Sequence, residues 1–227
     1  MENIVSKFME DHFDNLSLRP PLFYLWKYGI RFEISMPGVE HEDENNLQQI
    51  NERTTTLFKS VFNQVDEMLL ITDINCEKND SFLQKRSTKV YQKYIKNKET
   101  VRKLQHIVLP NVFSEDEEDG EDYTEMVTHR FVLPCKMSEI RYHSLLKAIS
   151  YEDFYHPNQI LKGFPRHGID IYFINLTRKM IYHLYDDRGC DVIASDKEEL
   201  YFLYESFNEW ILDYDRDEID KVFKRNK

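Results

Sequence analysis

The run Tyr185-Asp186-Asp187-Arg188-Gly189-Cys190-Asp191 brings three carboxylates, a guanidinium, a phenol and a thiol together between two apolar stretches. Further on, Trp210 and Asp213-Tyr214-Asp215-Arg216 repeat the combination of aromatic ring, acid and arginine. Several chemistries use such residues. Carboxylates from separate elements can hold divalent cations for phosphoryl transfer or hydrolysis, and Asp186, Asp187, Asp191 and Asp213 could supply them. No recognised nuclease or phosphatase spacing accompanies them. A thiol nucleophile needs a base and an orienting group. Cys190 has His183 nearby in sequence but no third partner, and acidic neighbours raise a thiol pKa. Tyrosine, tryptophan and arginine framed by acids also make a protein-binding surface. The remaining reading is architectural. Asp-Arg-Gly between two strands fits a type I turn with Gly189 in the left-handed conformation as a bulge. That explains Gly189 and one aspartate and leaves Tyr185 and Arg188 unexplained.

The binding surface is the reading favoured here. Its residues are Tyr185, Asp186, Asp187, Arg188, Asp191, Trp210, Asp213 and Tyr214. It requires the Trp210 helix to fold back so that both blocks meet at one end of the domain. The metal-dependent hydrolase or phosphotransferase is the alternative. A structural or regulatory module with no site at the turn is the third.

The elements that position these blocks follow from periodicity. Gly168 to Ile174, Met180 to Tyr185 and Cys190 to Ala194 read as an antiparallel meander, with Asn175 to Lys179 as the first turn. Ser195 and Glu198 form a capping box. Leu200, Leu203, Tyr204, Phe207 and Ile211 then give a helical stripe. A second box, Asp215 to Glu218, starts a last helix burying Ile219, Val222 and Phe223. Upstream, Ile4 to Phe13 is an amphipathic helix, and Pro20-Pro21 break it. Ile30 to Ser35 is a strand, and Leu47 to Phe62 keeps helical phase. Glu67 to Ile74 is a strand again, so a parallel crossover pairing is expected. Asp80 to Lys103 holds one or two basic surface helices. Glu125 to Met137 is a strand, and Ser138 caps a helix through Ile149. The expected fold is thus α/β or α+β: a mixed central sheet with packed helices, and a C-terminal antiparallel meander followed by a capped amphipathic helix. One domain spans residues 1–227, with an N-terminal half to about residue 110, an acidic loop at 114–122 and a C-terminal half from 123.

Composition narrows the functional classes. The chain has 227 residues and a formal charge of −11. Seven acids and no base occupy Glu115 to Asp122, and His183 to Asp220 carries a local −10, so the remainder is about +6. Such a surface repels nucleic acid and anionic membrane and suits a basic partner, a cation or plain solubility, of which solubility is the commonest. Three scattered cysteines, Cys76, Cys135 and Cys190, form neither a disulfide framework nor a metal knuckle. Reduced thiols, an acidic interrupted N-terminus and no apolar run near the ~20 residues of a membrane span point to a soluble cytoplasmic protein. Six glycines leave no glycine-rich phosphate loop, and no serine elbow or metalloprotease motif occurs, so no cofactor is implied. The acidic loop misses the bidentate glutamate of an EF-hand, where Met126 stands.

The block "YHLYDDRGCDVIA" followed by "LYESFNEWILDYDR" resembles the bacterial domain-of-unknown-function family 3885. The stretches "LFYLWKYGIRFEIS" and "LFKSVFNQVDEMLLI" resemble that family's N-terminal half. The likeness touches most of the chain and implies no particular activity. Small acidic bacterial families of this kind are similar in style to immunity proteins of toxin systems. That likeness implies an antitoxin role against a basic toxin.

Overall fold

The computed structural model describes residues 4–81, 83, 88–113, 126–152, 154 and 168–224. Both chain halves contribute to one seven-stranded sheet. Its strands are β1 (Gly29–Glu33), β2 (Glu67–Glu77), β3 (Gln105–Pro110), β4 (Met126–Lys136), β5 (Ile169–Asn175), β6 (Met180–Leu184) and β7 (Gly189–Ala194). They lie in the order β1-β7-β6-β5-β2-β4-β3. The acidic loop falls outside the described residues.

Every pairing in this sheet is antiparallel. The parallel pairing expected between the first two strands does not form, although both run in the same direction in the one sheet. The intervening helix, α3 (Glu44–Val61), instead carries the chain from the β1 edge to β2 near the far side, with three strands between them. Its apolar stripe would look the same for either connection, so periodicity could not separate them. β2 is flanked by β4 and β5 and is buried from Met68 to Ile74. Such a strand reads as an unbroken apolar run because both faces are covered.

Two cores sandwich the sheet. On one face Ile50, Leu57, Phe58 and Val61 of α3 meet Leu70, Phe173, Tyr182 and Val192. The same core includes residues of α4 (Lys89–Tyr94), α6 (Tyr142–Ile149), α7 (Tyr201–Ser206) and α8 (Arg216–Phe223); the short α5 spans Lys98–Val101. Phe58 is its aromatic hub, with Phe62, Tyr142, Phe173 and Tyr182 around it. On the opposite face α1 (Ile4–Phe13) and the start of α2 (Leu22–Leu25) lay Val5, Phe8, Met9, Phe13 and Leu22 over Leu69, Ile71, Ile174, Ile181 and Ile193. No helix among the described residues is long and apolar enough to cross a membrane.

The C-terminal meander forms as expected. Asn175 shapes its first turn by accepting from the Thr177 and Arg178 amides at 3.0 and 2.9 Å, and Lys179 takes a φ of 54°. The caps differ from the sequence reading. Asp196, not Ser195, caps the next turn by accepting from the Glu198 amide, while the Ser195 amide bonds the Lys179 carbonyl. Ser138 lies in a 3-10 turn, and α6 starts only after Arg141. Asp215 makes no capping bond because its carboxylate turns inward. α7 stops at Ser206, so Trp210 sits in a separate 3-10 turn rather than on the same helix. Beyond it Ile211 bridges to Phe32, and the Leu212 amide donates to the Arg31 carbonyl at 3.0 Å. The chain leaves the helix there to cover the outer edge of β1.

All three cysteines are free and buried. Burial, with acidic neighbours adding to it, pushes Cys76 up to about 11 and Cys135 up to about 12. Cys190 is raised by the same causes. Ellman's reagent at neutral pH is therefore expected to label none of the three in the native protein and all three after denaturation. A rapidly labelled native thiol would contradict this packing.

Candidate functional site

The two blocks singled out in the sequence do meet, but through a residue outside both. Arg31 of β1 pairs in register with Asp191 of β7. Its Nε donates to Asp191 Oδ1 at 2.8 Å and its Nη2 to Oδ2 at 3.2 Å. Nη1 lies 3.7 Å from Asp215 Oδ2. The YDDRG hairpin and the C-terminal DYDR segment thus hold one guanidinium between them. Asp191 is fully buried and also accepts the Phe23 amide at 3.0 Å. Asp215 accepts from the Tyr24 hydroxyl at 2.8 Å. The rings of Phe23, Tyr24 and Tyr185 surround the guanidinium, with centroids 5.5, 4.6 and 5.6 Å away. Burial alone would depress the Arg31 pKa, but the Asp191 bonds outweigh it and hold it above its ordinary value. The Tyr185 phenol is raised by burial first and the Asp191 charge second, so it stays protonated.

Each of the other hairpin acids has its own cationic or imidazole partner. Asp186 accepts the Arg188 amide at 2.7 Å and its Nε at 2.6 Å, with Nη2 closing the fork. Asp187 accepts from His41 Nδ1 at 3.0 Å. The His41 ring stacks on Phe154 at 3.5 Å and meets Tyr151 edge-on. This carboxylate bond fixes the imidazole tautomer and leaves its buried Nε2 without a hydrogen bond. Asp213 pairs with Arg216 Nε at 3.0 Å. Asp186, Asp187, Asp191 and Asp213 therefore face four different partners and do not converge. Among the described residues no group of three or more histidine, cysteine or acid side chains could hold a metal ion.

The turn is also not the one expected. Gly189 has no positive φ; Gly38 is the described glycine that does. Gly189 is small for a different reason. A Cβ there would stand 2.1 Å from the Tyr185 hydroxyl and 2.8 Å from the Phe32 carbonyl. The glycine lets Tyr185 fold over the hairpin toward Arg31 while β7 stays paired with β1. Cys190 and His183 point to opposite faces, since Cys190 pairs with Leu184 on the large-core side. They form no dyad.

The candidate residues divide by exposure. Tyr185, Asp186, Asp187 and Asp191 are inward or mostly covered. Arg188 is outward, with its side chain 72% exposed. Trp210 is half-buried, stacked on Phe207 at 4.8 Å with Arg53 5.3 Å from its ring. Asp213 and Tyr214 stand in solvent, the Tyr214 residue 86% exposed. Tyr24, absent from the sequence-based set, is 51% exposed beside them.

Sequence reasoning missed Arg31, and with it a polar line on the same sheet face. Register places Arg31, Asp191 and His183 in one row across β1, β7 and β6, and Asp170, Asp73 and Arg130 in a row across β5, β2 and β4. Arg130 donates to Asp73 through Nε at 2.8 Å and Nη2 at 2.5 Å. His183 is fully buried with neither ring nitrogen hydrogen-bonded, 3.8 Å from Asp170. The available signal was a charge inside each apolar strand: Arg31 in "IRFE", Asp73 in "LITDI" and Arg130 in "THRFVL".

A seven-stranded antiparallel sheet covered by helices on both faces, with two buried Arg–Asp pairs on one of them, defines an α+β protein. The chain belongs to the domain-of-unknown-function family 3885, whose model matches residues 5–215. It is 32% identical over 213 residues to the Uncharacterized protein YnaE of Bacillus subtilis (strain 168), covering 91% of this chain and 96% of that protein. No solved structure matches.

Proposed function

We propose that the protein is a binding module that presents an acidic, tyrosine-bearing surface to a basic protein partner, in the manner of an immunity protein neutralising a basic toxin. The observation that carries this reading is Tyr214, a large aromatic side chain held 86% exposed next to Asp213. Tyr24 stands nearby, and its hydroxyl is tied to Asp215, which anchors it to the Arg31 cluster. Exposed Asp217 and Glu218 follow this patch in the first turn of α8. A shallow groove of about 270 Å³ between α2 and α8 adjoins it, lined by Tyr24, Trp26, Glu218 and Val222 among others. Tyr24, fixed by the buried network, gives contact area at low entropic cost beside exposed Tyr214, and surrounding acids speed the encounter with a basic surface.

The test is affinity capture from host extract. The wild-type protein is expected to retain a basic protein at low salt and release it as salt rises. Tyr214→Ala with Asp213→Asn should weaken that interaction at least about tenfold, roughly 1.4 kcal/mol, without changing the unfolding midpoint. Equal retention by the double variant would remove this surface from consideration.

A further inference from the structure

We propose that the cleft between the first turn of α1 and the end of β3 binds a small organic oxyanion, a carboxylate or phosphate monoester with a short apolar tail. The cleft is about 360 Å³, within the size range of small-molecule sites. In a protein of charge −11 its described lining holds no aspartate or glutamate, and its one charged group is Arg130.

Arg130 is the reason to expect an anion there. The residue is only 6% exposed, yet it forms part of the cleft wall. Its Nε is taken by Asp73, and its Nη2 by Asp73 and the Leu18 carbonyl at 3.0 Å. Among the described residues Nη1 has no hydrogen-bond partner, so two N–H donors of a rigidly held guanidinium are free of protein acceptors there. That nitrogen is not among the sealed atoms without a partner, so it is open to the cleft, and an oxyanion can replace water on a guanidinium already oriented by Asp73.

The surroundings supply the rest of an oxyanion cradle. Ser6 and Ser17 offer hydroxyls and Asn111 an amide. Ser6 also lies in the first turn of the ten-residue α1, whose amide dipoles favour negative charge. Beside these donors the lining also carries Met9, Leu16 and Leu109, apolar surface that suits a short hydrocarbon tail. Because Asp73 already balances the Arg130 charge, binding rests on directional donors rather than on a net positive field. The cleft shares no residue with the Tyr24–Tyr214 surface, so the two readings stand or fall separately.

Thermal unfolding of the full chain with hexanoate, hexyl phosphate or hexylamine, each against matched sodium chloride, tests the assignment. At several times its Kd, hexanoate or hexyl phosphate should raise Tm by about 2–4 °C and hexylamine should not. A response to one head group alone supports the site and names that group. Asp73→Asn with Arg130→Gln removes both buried charges together, and Val112→Trp fills the cleft from its rim. Each should weaken anion binding at least about tenfold by titration calorimetry. The proposal fails if neither anion exceeds sodium chloride, if hexylamine stabilises equally, or if anion binding survives Val112→Trp.

Discussion

Replacing Arg31 with methionine is expected to destabilise the protein by about 3–5 kcal/mol, the usual cost of leaving a buried charge without its partner. Asp191 has no exposure and, among the described residues, no other cation in bonding distance, and the buried Asp215 carboxylate loses its neighbouring charge as well. The loss would reach both chain ends, because Arg31 is the point at which β1, β7 and the C-terminal segment meet. Urea unfolding at neutral pH measures it, and a change below about 1 kcal/mol would show that the pairs contribute little. The paired substitution Arg31→Met with Asp191→Leu separates charge from packing. Removing both charges should restore much of the stability, since apolar replacement of a buried ion pair is often neutral. Arg31→Lys should fall between, because an ammonium cannot reproduce the two-pronged contact with Asp191.

Gly189→Ala is expected to cost about 3 kcal/mol, at the upper end of overpacking substitutions. The added methyl meets two obstacles of different stiffness. The Tyr185 hydroxyl is the far end of a side chain and can swing away, but the Phe32 carbonyl belongs to the paired β1 backbone. Tyr185→Ala in the same chain should therefore recover only part of the loss. Full recovery would mean that the backbone approach is relaxed and that the ring alone demands the glycine. Nearly normal stability of Gly189→Ala alone would contradict the geometry of the hairpin.

The behaviour of this glycine shows where sequence reasoning reaches its limit. Asp-Arg-Gly between two strands correctly located a hairpin, because those residue types have few other local uses. The same residues could not say why glycine was needed. The left-handed turn and the close backbone approach produce the same letter, and the second depends on a strand 156 positions away in the chain, counted from Glu33 to its partner Gly189 (189 − 33). The helix ends show the same limit. Asp215 carries a capping sequence, yet its carboxylate is drawn to Tyr24 and Arg31, a contact stronger than an exposed amide offers.

By itself the sequence determined what depends on local order. Periods of 3.6 and 2 located the main helices and the C-terminal meander, and the residues of the hairpin and helix blocks carried the family resemblance. Only the tertiary structure decided strand order, the wholly antiparallel pairing and the destination of each charge. A long helix can return to a sheet on either side of its starting strand, and an aspartate looks the same in sequence whether it faces solvent or an arginine. Asp186, Asp187 and Asp191, which in sequence look like one acidic cluster, are divided by packing among Arg188, His41 and Arg31, while Tyr214 is left in solvent. That division arises from long-range burial: an acid taken from water must find a cation or hydrogen-bond donors, and its partner is whichever group the sheet register places beside it.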